Sequence, residues 1–307
     1  MVSILAASLP LTMPILYASV GEVYAEKSGV LNMGIEGVMS LSAFVSLWVT
    51  FNTGSYVYGL LAGVAAGAVM GLLHTFVTVR IGVNQLIAGL MIYFLAYSIG
   101  DFGYAIVTKK TYLHVSPISP LHVPYLSGLP AVGPILFSQN VLVYLSFAVA
   151  LVAGLVMYGT TWGLKIMAVG ENPEASDAAG VNVNLVRHLC VVLGASLAGL
   201  AGASLVLGYL GLYATGDTLV AGRGWIAIVV VIFARWSPYK AIAGAWVFGL
   251  GYSIAAEFIG SGLFSSFGTA SGYFLLAIPY IFAILFILVF HRGTKSPSSL
   301  TVPYKRR

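Results

Sequence analysis

Residues 170–187 read G-E-N-P-E-A-S-D-A-A-G-V-N-V-N-L-V-R. This is the one long polar passage between apolar runs of membrane-spanning length, and its own signals spell a short helix with both ends marked. Asn172 is placed to cap orphan N–H groups, and Pro173 takes the first helical position, where its missing N–H costs little. Glu174 and Asp177 put negative charge in the early turns, favourable to the helix dipole, and Gly180 offers a left-handed exit. So short a helix is not stable alone in water. It is expected either to lie at the cytoplasmic surface and dock into a partner protein, or to be a capped surface turn without one.

The flanking sequence decides the solvent. Of 307 residues, 59% are hydrophobic and only 7% charged, and the mean hydropathy is +0.97. Soluble domains carry roughly 25% charged residues, so most of this chain cannot face water: the fold class is all-α, a polytopic helical membrane protein. The 36 glycines exceed the usual share of about 7% and imply close helix packing in lipid. A net charge of +5 does not signal nucleic acid, because the basic residues sit at helix ends and in the tail, as membrane topology requires. The single cysteine, Cys190, rules out an internal disulfide. The N-terminus, M-V-S-I-L-A-A-S-L-P, has no basic n-region and reads as a first span, not a cleaved signal.

Runs of about 20 apolar residues place nine spans near 3–21, 36–52, 56–79, 85–107, 139–158, 186–210, 223–235, 239–258 and 273–291, the seventh short for a full crossing. Residues 1–291 then form a transmembrane domain with a long polar loop at 159–185, followed by a basic tail, 292–307. With Arg292, Lys295, Lys305, Arg306 and Arg307 inside, alternation also puts Lys27, Arg80, Lys165, Arg187, Arg235 and Lys240 inside. Lys109, Lys110 and Arg223 are the exceptions. That bias predicts a cytoplasmic C-terminus, an external N-terminus and a cytoplasmic 159–185 loop. The 108–138 loop, rich in Pro, Tyr and His, is then extracytoplasmic.

Two glycine patterns predict packing faces. Gly59, Gly63, Gly67 and Gly71 recur every four residues, and Gly194, Ala198 and Gly202 form a second stripe beside Ala195, Gly199 and Ala203. There is also an internal echo. Gly34–Trp48 carries a glycine-rich break with Glu36 before a short apolar helix, and Gly222–Phe233 repeats that order with Arg223. The charge assignment runs the two copies in opposite directions, which predicts an inverted repeat with broken helices near a pathway.

Ionisable residues in the membrane zone cost about 2.5–3.5 kcal/mol each and default to functional candidates. They are Glu22, Glu26, Glu36, Asp101, Arg223 and Glu257. Glu36 and Arg223 either pair or shape the polarity of a translocation route, or they cap broken helix ends or sit at the interface. Asn32, Asn84 and Gln85 either face a polar substrate or hydrogen-bond between helices. Glu22, Glu26 and Lys27 are expected at the cytoplasmic interface. No catalytic constellation appears: H-E-x-x-H, G-x-S-x-G and metal-spaced Cys/His clusters are missing from the sequence. Gly293-Thr294-Lys295-Ser296 is only the last fragment of a phosphate loop, so nucleotide binding is expected in another chain, and neither catalytic residue nor metal site is assigned.

Three motifs in order carry a family resemblance. E-K-S-G-V-L-N-M-G-I-E-G-V-M (26–39) resembles the first signature of ABC-transporter permeases of the ribose and branched-chain amino-acid superfamily, in the form of its nucleoside-type and simple-sugar-type members. G-E-N-P-E-A-S-D-A-A-G (170–180) is similar to the family's cytoplasmic coupling segment, and G-R-G-W-I-A-I-V-V-V-I-F-A-R-W-S-P (222–238) to its later signature. The resemblance implies half of a channel for nucleosides in a prokaryotic cell membrane, paired with a second, often longer permease. It also implies a separate cytoplasmic ABC ATPase carrying ATP-Mg and an extracytoplasmic binding protein or lipoprotein. Glu171, Asn172, Pro173, Glu174, Ala175, Asp177 and Gly180 would form the docking element. Where the ribose pattern has Asp, this chain has Ile35-Glu36-Gly37, which counts against ribose. The rival expectations are a simple-sugar or branched-chain amino-acid permease, an ion-driven secondary transporter and, more remotely, an intramembrane enzyme.

Overall fold

The structure, a computed structural model, describes residues 1–108, 113–215, 219–261, 277–290 and 295–304. The first helix, α1 (Val2–Lys27), is apolar all round and buried without a break from Leu11 to Glu26. A helix without a polar face belongs inside, and α1 is the post against which the others stand. Its Pro10 cannot donate to the Ala6 carbonyl; the Gln139 side-chain amide does so instead, at 3.1 Å.

Then follow α2 (Ile35–Thr53), α3 (Tyr56–Thr75, continued by a π-helical turn Phe76–Ile81) and α4 (Gln85–Thr108). An antiparallel pair, β1 (Leu121–His122) with β2 (Ser138–Gln139), encloses the five-residue α5 (Val132–Leu136). Beyond it come α6 (Val141–Gly159), α7 (Thr161–Glu171), α8 (Pro173–Ala178) and α9 (Val183–Leu205, with a π-helical turn to Leu210). The last described helices are α10 (Arg223–Phe233), α11 (Pro238–Ser261) and α12 (Ile278–Phe290).

Among the described residues, seven helices are long and apolar enough to cross a membrane: α1, α2, α3 with its π turn, α4, α6, α9 with its π turn, and α11. At 11 residues, α10 is too short to cross. The expected ninth span lies partly outside the described residues, as do Lys109, Lys110, Arg292, Lys305, Arg306, Arg307 and most of the 259–272 connection. Several boundaries move by a few residues. α1 runs on to Lys27 because Glu22 and Glu26, expected at the interface, are each only 1% exposed and packed within protein. α9 begins at Val183, where Asn182 accepts from the Leu185 N–H at 3.0 Å.

α9 packs on α1, α2 and α3 together, and its small residues divide between these neighbours. Gly199, Ala195 and Ala203 meet Gly63, Gly67 and Gly71 of α3; Gly194 meets Gly21 of α1, and Gly202 meets the Met39 carbonyl of α2. Gly59 faces Thr50 and Ser46 of α2 instead. The second stripe is thus two faces, because i and i+5 on a helix point apart.

Candidate functional site

Two places collect the residues singled out above. The first is the segment between α7 and α9. α7 buries Gly163, Ile166, Val169 and Gly170 and ends at Asn172, whose backbone turns extended (φ −146°, ψ 92°). The Asn172 Oδ1 accepts from the Ala175 N–H at 2.9 Å, with Pro173 at the first position of α8. The Ser176 hydroxyl returns to the Asn172 carbonyl at 2.8 Å. At the far end Val181 N–H bonds the Ser176 carbonyl at 2.9 Å across Gly180, whose φ is +83°. Glu171, Asn172, Glu174, Ala175 and Gly180 are exposed; Pro173 and Asp177 are half-buried. Six residues with a fixed entry and exit therefore hold Glu174 outward, with Asp177 half-buried on the following turn. Asn172→Ala is expected to cost about 1 kcal/mol of local stability, read as faster amide hydrogen exchange over 173–178; unchanged exchange would show the cap to be idle.

The second place is where two helices start. Glu36, 5% exposed, stands in the first turn of α2, and its carboxylate reaches the first turn of α10. Oε1 accepts from the Gly222 N–H at 2.7 Å and Oε2 from the Gly224 N–H at 2.6 Å. One carboxylate thus lies at the positive ends of two helix dipoles, the placement that suits it best. Gly224 is needed for the approach: a Cβ there would lie 2.7 Å from the Glu36 Cα. Arg223 does not hydrogen-bond Glu36. Its Nη1 donates to the carbonyls of Val220 (2.9 Å) and Leu219 (3.3 Å), and the guanidinium stacks on the Tyr252 ring at 4.4 Å. Between pairing and capping, the geometry is that of a cap.

Asn32 and Gln85 secure the turn at 28–34 that separates α1 from α2. Asn32 donates its N–H to Glu22 at 2.8 Å and accepts from Gly34 at 3.0 Å. Gln85 accepts from the Leu31 N–H at 2.8 Å and donates to the Gly29 carbonyl at 3.3 Å. Asn84 is exposed and caps α4 through the N–H groups of Leu86 and Ile87 at 3.0 and 3.2 Å. Asn32 and Gln85 thus meet at one turn, while Asn84 stands outside it.

For several residues that the sequence did mark, it gave no sign of their partners. Glu26 accepts from the Trp236 indole, one helical turn on from Glu22, which accepts from the Asn32 N–H. The end of α1 is thereby tied to the turn after α10. Tyr213 donates to Asp101 at 2.9 Å and contacts the Ser40 hydroxyl at 3.0 Å. Arg187 is buried and bonded to two separate segments, the end of α1 and residues 299–302. The i, i+4 spacing of Glu22 and Glu26 was available as a signal; the partners of Asp101 and Arg187 were not, being at least 112 residues away in the chain.

The chain was compared with known proteins. A family model described as the permease component of branched-chain amino acid transport systems matches residues 4–290. The nucleoside ABC transporter permease protein NupC of Lactococcus lactis is 31% identical over 311 residues, 98% of this chain and 96% of the relative. The guanosine ABC transporter permease protein NupQ of Bacillus subtilis is 31% identical over 319 residues, with the same coverage of both chains. A putative glucose ABC transporter permease protein of Haloferax volcanii, TsgC13, is 37% identical over 248 residues, 80% of this chain and 75% of the relative. No solved structure matches at significance. Matched along nearly its whole length and built of helices fit to cross a membrane, the chain belongs to the branched-chain amino acid and simple-sugar permease family of ABC transporters.

Proposed function

We propose that this permease forms half of the translocation pathway of a nucleoside importer in a prokaryotic cell membrane and couples to a separate ATPase through α8. The observation that carries the substrate is the end-to-end likeness to two permeases named for nucleosides and guanosine. The coupling role is supported by the exposure of α8, its outward Glu174 and its rigid caps. A second permease, related to this chain, completes the channel. The loop 113–140 lies at the opposite end of α6 from α8 and receives the substrate-binding protein.

In operation the ATPase, loaded with ATP-Mg, draws α8 with it, and α7 and α9 on either side carry the motion into the bundle. The ATPase can drive that change only by binding the two permease states with different free energies. Charge reversal at Glu174 and Asp177 is expected to leave uptake near background while ligand-stimulated hydrolysis is lost. Stimulated hydrolysis at the unaltered rate would remove α8 from the coupling path.

A sugar substrate is the second reading, favoured by the 37% identity to the putative glucose permease. Cells expressing the permease with its partner subunits are expected to accumulate labelled guanosine or uridine, with excess nucleoside competing and glucose not. Competition by glucose alone would assign the sugar. Accumulation by the purified chain in vesicles, driven by a proton or sodium gradient, would overturn the ATP-coupled reading altogether.

A further inference from the structure

Arg187 lies in the second turn of α9 and is only 2% exposed. A guanidinium does not give up its proton in a protein, so its burial demands acceptors. It has three, all at 3.1 Å: Nε donates to the Ser28 carbonyl, Nη1 to the Val302 carbonyl and Nη2 to the Ser299 hydroxyl. Ser28 closes α1, and the end of a helix carries the partial negative charge that suits a cation.

The chain's C-terminal segment is thereby gripped from one side. Its other side is fastened to the last turn of α7, immediately before α8. The Ser299 N–H and hydroxyl both donate to the Gly170 carbonyl, at 2.9 and 2.8 Å, and the Ser298 hydroxyl donates to Glu171 at 2.8 Å. There is no slack between the parts. A Cβ on Gly170 would collide with the Lys27 carbonyl, and one on Gly29 would lie 2.5 Å from the Ser299 hydroxyl and 2.8 Å from Arg187 Nη2. Gly29 begins the turn that Asn32 and Gln85 brace and that leads into Glu36.

We propose that Arg187 and Ser299 are positioning residues that bolt the C-terminal segment 295–304 across the ends of α1 and α7, so that movement of α8 is passed to the 28–34 turn and on to the Glu36 junction. This rests on the docking role of α8 proposed above and adds the route by which its motion enters the bundle. Without the bolt, α8 still holds the ATPase and follows it, but α1 and the turn do not follow α8. The result is hydrolysis without transport.

The test uses the whole transporter, the permease co-expressed with its partner subunits, carrying Arg187→Gln, Arg187→Lys, Ser299→Ala or Arg187→Gln with Ser299→Ala. Four quantities are read: ATPase retained on the purified complex, ATP hydrolysis, substrate taken up per ATP, and the unfolding midpoint. Arg187→Gln is expected to keep the ATPase and hydrolyse ATP, with uptake per ATP falling about tenfold, a typical size for coupling between sites. Lysine keeps the charge but cannot fork to three acceptors, so it falls in between. The double variant is expected to be no worse than Arg187→Gln, since residues of one network are not additive. Unchanged uptake per ATP, a loss of ATPase from the complex, or additive defects would each overturn the proposal, as would a lowered midpoint with normal uptake per ATP. The parallel Glu174 and Asp177 charge reversal separates the two ideas. If it leaves coupling intact, the docking role fails; if it breaks coupling while Arg187→Gln is normal, only the bolt fails.

Discussion

Replacing Glu36 by alanine is expected to abolish uptake and to lower the unfolding midpoint of the permease in detergent. The carboxylate is the hydrogen-bond acceptor for the N–H groups of Gly222 and Gly224; Glu36, Arg223 and Gly224 are buried and Gly222 is half-buried. Leaving a buried donor unsatisfied costs about 1–3 kcal/mol; the cost falls in full on Gly224 and in part on the half-buried Gly222, at the start of a helix too short to be held by span length. Glu36→Gln retains one acceptor oxygen but turns an NH₂ group toward a donor, and should fall between wild type and alanine. The decisive variant is the exchange Glu36→Arg with Arg223→Glu. A mutual ion pair would be restored by the swap. A cap directed at backbone would not, and Arg223 has its own acceptors in the carbonyls of Leu219 and Val220. Uptake recovered by the swap would show that the two side chains act on each other.

Gly67→Val should be the most destabilising of the glycine substitutions on α3. A Cβ at Gly67 would overlap the Ala195 carbonyl and lie 2.9 Å from the Gly199 Cα, so the obstacle is backbone and cannot rotate away. Overpacking of this kind costs about 1–3 kcal/mol, occasionally more, and valine adds two methyl groups to the clash. The α3–α9 contact would have to open, and α9 carries its other faces against α1 and α2, so the damage should spread through the bundle. Gly159 supplies the control: its Cβ would meet nothing within 4 Å and its φ is not in the left-handed region. Gly159→Ala is therefore expected to leave the midpoint unchanged. Equal midpoints for Gly67→Val and Gly159→Ala in thermal unfolding would remove close packing as the reason for the stripe.

What could be read from the chain followed the range of the forces involved. α8 was legible residue by residue because its signals are local: a cap at Asn172, a proline at 173 and a left-handed exit at Gly180 lie within nine residues and act on one another's backbone. The membrane helices were legible because burial in lipid requires long apolar runs. Their ends were less so. Hydropathy stopped the first span at residue 21, since two glutamates ordinarily mark water, whereas α1 continues to Lys27 with both carboxyls held inside protein.

The presence of two glycine-rich faces was likewise legible from spacing, but not their division among α1, α2 and α3. That depends on which helices lie around α9, a property of the assembled bundle. The same holds for the buried charges. Glu36 was singled out by composition alone, as a charge in an apolar run, yet its partners stand 186 and 188 residues away. Arg187 read as a topology marker, and only folding showed that the C-terminal segment and the end of α1 close around it. By itself the sequence determined the solvent, the helices and the local shape of α8, because these depend on neighbours along the chain. The tertiary structure decided which buried charges meet which backbone groups, because a hydrogen bond is made through space and its partner leaves no mark at the residue that finds it.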